Sequence, residues 1–200
     1  NNGQGGLLDI ELDPKYTENG WIYFSYAANT ENDNKGSNTA ISRAKLANNK
    51  LVNLELLYKA TPNTKNGAHY GSRLEFNKEG FLFFSIGDRG NNKENPQDIT
   101  RDAGKVYRIN SNGTIPNSNP FYNVKDAKKA IFSYGNRNPQ GMALHPETGE
   151  IWAHEHGPKG GDEINIIKSG KNYGWPKVSY GINYDDSILT DKTSMPGMEN

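Results

Sequence analysis

The stretch GSRLEFNKEGFLFFSIGDRG, residues 71–90, reads as a glycine, a short apolar strand, a polar turn closed by Gly80, and an aromatic-rich strand. The same plan recurs twice. GLLDIELDPKYTENGWIYFSYA begins at Gly6 and GMALHPETGEIWAHEHGP at Gly141, so the copies start 65 and 70 residues apart. Self-similarity at such a period is the signature of a repeat architecture, and each period has room for about four strands and their loops, the content of one β-propeller blade. The competing reading is a β-sandwich whose hairpins merely look alike.

The rest of the chain agrees with an all-β fold. Between Asn, Gly and Pro clusters stand the short runs LLDIEL, WIYFSYA, LEFN, FLFFSIG, KVYRIN, AIFSYG and EIWAHE, and no stretch sustains a 3.6-residue apolar period. DAKKA, before Ile131, has room for one helical turn at most. Propellers close with about four to eight blades, and three blades of this size use all 200 residues. The sequence therefore predicts a three-blade portion of one propeller domain, with later blades elsewhere in a longer chain.

Composition narrows the function. Lys plus Arg and Asp plus Glu both number 23, the pI is near 7.1, and no global field attracts nucleic acid or an anionic membrane. No run is long and apolar enough for a transmembrane helix. The absence of cysteine excludes disulfides, thiolate metal sites and cysteine nucleophiles. The chain opens at Asn1 with no apolar targeting segment, as expected for a processed or cut N-terminus.

Three polar motifs carry candidate chemistry. In NGAHYGSRLEF, His69 stands just before a strand, and a neutral imidazole there can take a proton from a substrate hydroxyl. In SYGNRNPQGM, Arg137 offers a forked cation suited to an anionic oxygen and Asn138 adds amide donors; Pro139 and Gly141 read as a tight turn holding both. In IWAHEHGPKGGDEINII, the alternation of His154 and His156 suggests zinc at first sight. The Gly157-Pro158 turn, able to aim carbonyls at a cation, and the carboxylates Asp162 and Glu163 suggest an all-oxygen calcium site instead. Each motif also has a bland reading, as a surface histidine, an arginine paired to a neighbouring acid, or turn-capping acids.

GQGGLLDI, HYGSRLEF, GNRNPQGM, EHGPKGGDEINI, GKNYGWP and YGINY, in this order across almost all of the chain, resemble the soluble quinoprotein glucose/sorbosone dehydrogenases, and their aldose sugar dehydrogenase branch most closely. The resemblance implies a six-bladed propeller, usually periplasmic, that binds pyrroloquinoline quinone (PQQ) and calcium at one end of its channel and oxidises sugars at the anomeric carbon. It implies that His69 is the base for the C1 hydroxyl while hydride passes to quinone C5. Arg137 and Asn138 would contact the quinone oxygens, with Arg137 stabilising negative charge there. Gln4 would line the substrate side and Tyr184 would lie near the cofactor.

The carbonyls of Gly157 and Pro158 would hold the calcium that polarises the C5 carbonyl, and Glu163 and the Tyr173 backbone would serve the same ion or a second one. The need for a cofactor stands apart from the resemblance: no protein side chain accepts a hydride, and no dinucleotide fingerprint is present. Asn136 and His156 stand where the glucose dehydrogenase branch has His and Gln, and Ala68 where it has an acid. These departures favour the broad-specificity branch. The rivals are a calcium-dependent propeller lactonase and a non-catalytic propeller binding module.

Overall fold

A computed structural model describes residues 3–29, 36–91 and 93–199. They form three antiparallel sheets in chain order. The first holds β1 (Leu7–Leu12), β2 (Trp21–Ala28), β3 (Asn38–Ala47) and β4 (Lys50–Lys59), the second β5 (Leu74–Phe76), β6 (Phe81–Ile86), β7 (Lys105–Asn110) and β8 (Ile131–Tyr134). The third holds β9 (Pro139–Leu144), β10 (Ile151–Glu155) and β11 (Glu163–Ile166), in the order β11-β10-β9. Each sheet is a meander, and β5 lies against both β1 and β9, so the first strands of successive sheets line up side by side. These are three propeller blades with their first strands innermost.

The pleat explains the stacking. Along β6 the side chains alternate between the two faces of the sheet. Leu82, Phe84 and Ile86 enter a core shared with Tyr23, Ile41 and Ala60 of the first blade, whereas Phe83 enters a second core with Met142, Ile151 and Ala153 of the third. FLFFSI thus reads as a nearly unbroken apolar run because both of its faces are covered. Phe84 stacks on Tyr107 with ring centroids 4.8 Å apart and planes 2° from parallel. Its other neighbour, Tyr58 of the first blade, lies 5.2 Å away.

Polar ties run between blades at equivalent positions. Ser25, fifth in β2, donates from Oγ to the Ser72 carbonyl at 2.6 Å, and Ser85, fifth in β6, donates to the Pro139 carbonyl at 2.8 Å. Asp102 accepts from Tyr58 Oη at 2.5 Å and from the Thr61 amide at 2.9 Å, binding the second blade to the first.

Two details differ from the sequence reading. Pro139 and Gly141 do not form a turn; they open β9, where Gly141 pairs with His154 and Pro139 with Glu155. A Cβ on Gly141 would sit 1.9 Å from His154 Nε2, so the glycine makes room for a cross-strand imidazole. A four-residue helix, α1 (Tyr16–Asn19), occupies the polar turn between β1 and β2, capped by Gly20 at φ 69°. The DAKKA segment forms turns without a helix. Among the described residues no helix is long and apolar enough to cross a membrane.

Lys105, fully buried at the start of β7, donates from Nζ to the carbonyls of Asn95 and Ala103, the latter at 2.7 Å. Burial pulls its pKa from 10.5 down to about 7, against the opposing pull of Asp102. In the unfolded chain a lysine keeps its proton to about pH 10.4. Between those values the unfolded state binds more protons, so stability rises with pH, and below the folded value the burial penalty is fully present. In denaturant titrations, wild type should therefore gain on Lys105→Met by up to about 1.4 kcal/mol per pH unit from pH 7 to pH 9. A difference that stays flat with pH would show that Lys105 remains protonated in the fold.

Candidate active site

The residues singled out in the sequence come from different blades but from one end of them. In an antiparallel meander, the loop entering the first strand and the loop leaving the second share an end of the sheet. His69 precedes β5, Asp88 follows β6, Arg137 precedes β9, and His156 to Pro158 follow β10. A cleft of about 150 Å³ there is lined by His69, Asp88, Gly90, Arg137, Pro158, Trp175, Asn183 and Tyr184.

The His69 imidazole is held in the cleft by its neighbours. Its Nδ1 lies 2.7 Å from Asp88 Oδ1, the acid being almost wholly buried and the imidazole 18% exposed. In a neutral imidazole, a carboxylate at Nδ1 favours the tautomer with its proton there and its lone pair on Nε2. Asp88 is fixed in turn: Gly90 N donates to Oδ1 at 2.7 Å and Trp175 Nε1 to Oδ2 at 2.8 Å. The His69 backbone N–H donates to Gln4 Oε1 at 2.8 Å, and the Gln4 backbone N–H donates to the Gly67 carbonyl at 2.6 Å. Gln4 therefore braces the backbone beneath His69.

Arg137 lies across the cleft. Its Nη1 donates to the carbonyls of His156 at 3.0 Å and Gly157 at 2.7 Å, and its guanidinium sits 5.5 Å from the Trp175 ring and 6.0 Å from the Tyr184 ring. Tyr184 is exposed and forms part of the rim. Asn138 is buried, and its Oδ1 accepts from Gly71 N at 3.0 Å, so this carbonyl oxygen joins two blades and does not face the cleft. At Gly87 an added Cβ would meet the His69 carbonyl at 2.4 Å and Asn138 Oδ1 at 2.7 Å. Only glycine fits between the two loops.

The oxygen-rich end of β10 is built around Glu155. Its carboxylate accepts from Asn136 Nδ2 at 2.8 Å, Arg137 N at 2.5 Å and Asn138 N at 3.1 Å, which fixes the GNRNP loop. Burial pushes the Glu155 carboxyl up to about 7, with the Asn136 amide pulling down and the Glu163 charge pushing up. Glu163 faces Glu155 across the β10–β11 pair and is itself raised by burial. Tyr173 is buried below; its hydroxyl donates to the Ile166 carbonyl at 2.6 Å and its amide to the Tyr134 carbonyl at 2.8 Å. His156 is half exposed with Nδ1 4.0 Å from Asp162, while the His154 ring lies over Gly141. The two histidines do not converge, and among the described residues no three His, Asp or Glu side chains are grouped to hold a metal. A cation at this rim would therefore draw on carbonyl oxygens as well as carboxylates.

Asp88, Trp175 and Glu155 escaped the sequence reading. Asp88 sits in GDRG, which reads as an ordinary turn acid; the usable signal was its place just after the second strand of a repeat, where HEHGP stands in the third. Because both Glu155 oxygens face N–H donors, Glu155→Gln should turn an amide donor against them and cost about 1–3 kcal/mol in denaturant unfolding. Unchanged stability would mean that the loop finds other acceptors.

The family described as Glucose / Sorbosone dehydrogenase matches residues 1–200. Aldose sugar dehydrogenase YliI of Escherichia coli is 41% identical over 185 residues, which cover 92% of this chain and 49% of that protein. The crystal structure of the soluble aldose sugar dehydrogenase of Escherichia coli in its apo form superposes with a TM-score of 0.93 at 37% identity, over 99% of this chain and 57% of that one. The PQQ-bound aldose sugar dehydrogenase of Streptomyces coelicolor gives a TM-score of 0.74 at 29% identity, over 88% of this chain and 49% of the other. The chain thus spans about half the length of the curated relatives it matches. By sequence and by fold, it belongs to the glucose/sorbosone dehydrogenase family.

Proposed function

We propose that the full-length protein is a PQQ- and calcium-dependent aldose dehydrogenase that oxidises the anomeric C1 hydroxyl of sugars to the lactone. The observation that carries this reading is the buried Asp88 carboxylate on His69 Nδ1, opening on the same cleft as Arg137. Sugar oxidation removes a proton from the hydroxyl and a hydride from the carbon. His69 takes the proton at Nε2, and Asp88 stabilises the imidazolium that results. The residues present suit a flat, anionic quinone: a guanidinium, the ring of Trp175, and the exposed ring of Tyr184 at the rim. PQQ, when bound, supplies the two-electron acceptor that no side chain can provide.

Arg137 orients the cofactor's oxygens and offsets negative charge on them, held by the carbonyls of His156 and Gly157. Calcium would be held through the carbonyls of Gly157 and Pro158 and the carboxylate of Glu163, with the Tyr173 backbone below, and would act as a Lewis acid. The Gly157 carbonyl already accepts from Arg137, so an ion there shares that oxygen with a cation. Burial raises the pKa of the Glu155 and Glu163 carboxyls, and a cation beside them would draw both into the charged form that compensates it. A periplasmic or secreted location belongs to the same proposal and is open to cell fractionation.

Full-length protein reconstituted with PQQ and Ca²⁺ should reduce an artificial dye when given aldoses. Lactone hydrolysis needing calcium alone, without dye reduction, would overturn the reading. His69→Ala should lower kcat by roughly two to four decades with PQQ affinity retained. Asp88→Asn should lower kcat by roughly two decades or more, by releasing the imidazole tautomer. Equal loss of PQQ binding in His69→Ala would assign His69 to the cofactor and not to proton transfer.

A further inference from the structure

The loop that delivers His69 is gripped from inside the protein by a side chain with no other task in the site. Arg89 is 1% exposed and among the largest fully buried side chains in the chain. Its Nη1 donates to the Ala68 carbonyl, and its Nη2 donates to the Asn66 carbonyl at 2.6 Å and to Thr64 Oγ1 at 3.3 Å. The guanidinium carbon lies 3.4 Å from the centre of the Tyr70 ring. One planar cation therefore holds the backbone just before His69 and the ring just after it.

This arrangement is costly as packing alone. A buried guanidinium loses its hydration, and Arg89 Nε has no hydrogen-bond partner among the described residues. Two residues also sit in the left-handed region: His69 at φ 54° and Arg89 at φ 59°. Such backbone persists only where surrounding contacts over-determine it, and it gathers at functional sites. The contacts that hold it here come from consecutive residues, since Asp88 fixes the His69 ring and Arg89 fixes the backbone that carries it.

We propose that Arg89 is the positioning residue for His69, setting the path of the 64–70 loop so that the imidazole meets Asp88 and presents Nε2 to the cleft. The role rests on His69 being the base. Arginine is required because its fork reaches two carbonyls at once while its face covers an aromatic ring; lysine keeps the charge but is a point donor.

The test uses the full-length protein with Arg89→Lys and Arg89→Gln. Tyr23→Phe serves as a stability control, because it removes a buried hydrogen bond to Asp13 (2.9 Å) in the first blade, away from the cleft. Arg89→Lys should lower kcat about 10- to 100-fold while the sugar KM and the PQQ affinity stay within roughly threefold, the pattern of a misplaced base. Tyr23→Phe should lower the melting temperature and leave kcat unchanged. Long-range ¹H–¹⁵N NMR of the imidazoles, with His69 assigned through His69→Gln, should show one tautomer protonated at Nδ1 in wild type and a mixture in both Arg89 variants.

Folded Arg89 variants that keep both wild-type kcat and the single tautomer would overturn the role, as would a kcat loss matched by Tyr23→Phe. If the wild type oxidises no aldose, the dehydrogenase reading fails by itself. The tautomer measurement, made without cofactor, still decides whether Arg89 positions His69.

Discussion

Asp88 is where the architecture and the site meet. Its carboxylate accepts from His69, Gly90 and Trp175, its amide donates to the Arg137 carbonyl at 2.7 Å, and its carbonyl accepts from Asn95 Nδ2 at 2.9 Å. One buried residue thus ties the loop before β5, the loop after β6, the entry to β9 and the segment after β11. A buried carboxylate is tolerable only when its oxygens are satisfied, and the donors that satisfy this one are the groups that must be placed. Loss of any one would loosen the others, because they are joined through a single side chain and not through separate contacts.

The fold was legible because the repeat is written in the strands that stack. WIYFS, FLFFS and IWAHE open β2, β6 and β10 at the same register; aromatic density marks the first two, with β6 buried on both faces, and clean alternation of buried and exposed residues marks β10. β3, NTAISRAKLA, escaped although its first five residues are buried, because Asn, Thr and Ser stand among them and break the apolar run. β4, KLVNLELLYK, is largely exposed and follows no clean alternation, and β9, PQGMAL, begins with residues that read as a turn because Pro139 and Gly141 serve an edge and a close approach. In the site, His69, Arg137, Pro158 and Tyr184 were legible as polar or turn residues in dense motifs, and the structure brings them to one cleft. Asp88, Trp175 and Arg89 act through partners 19, 87 and 21 positions away, a distance that no local pattern reports.

The fifth position of the second strand shows how one repeat slot acquires different chemistry. In the first two blades it holds Ser25 and Ser85, whose hydroxyls fasten each blade to the next. In the third it holds Glu155, which turns back to its own blade and gathers the amides of Asn136, Arg137 and Asn138. Replacing a hydroxyl by a carboxylate reverses the slot from donor to acceptor. That reversal converts a blade fastening into a mould for the loop bearing the arginine, and it brings a second acid, Glu163, within its field.

Gly87 has a meaning beyond its fit. The His69 carbonyl and the Asn138 side-chain oxygen both close on Gly87, so the loops that carry His69 and Arg137 approach each other across bare glycine backbone. Their spacing is therefore set by the thickness of one glycine backbone and not by the packing of a larger side chain. Side chains elsewhere in the blades can be exchanged and repacked without stretching that ruler, so the gauge of the cleft is independent of the outer face of the blades.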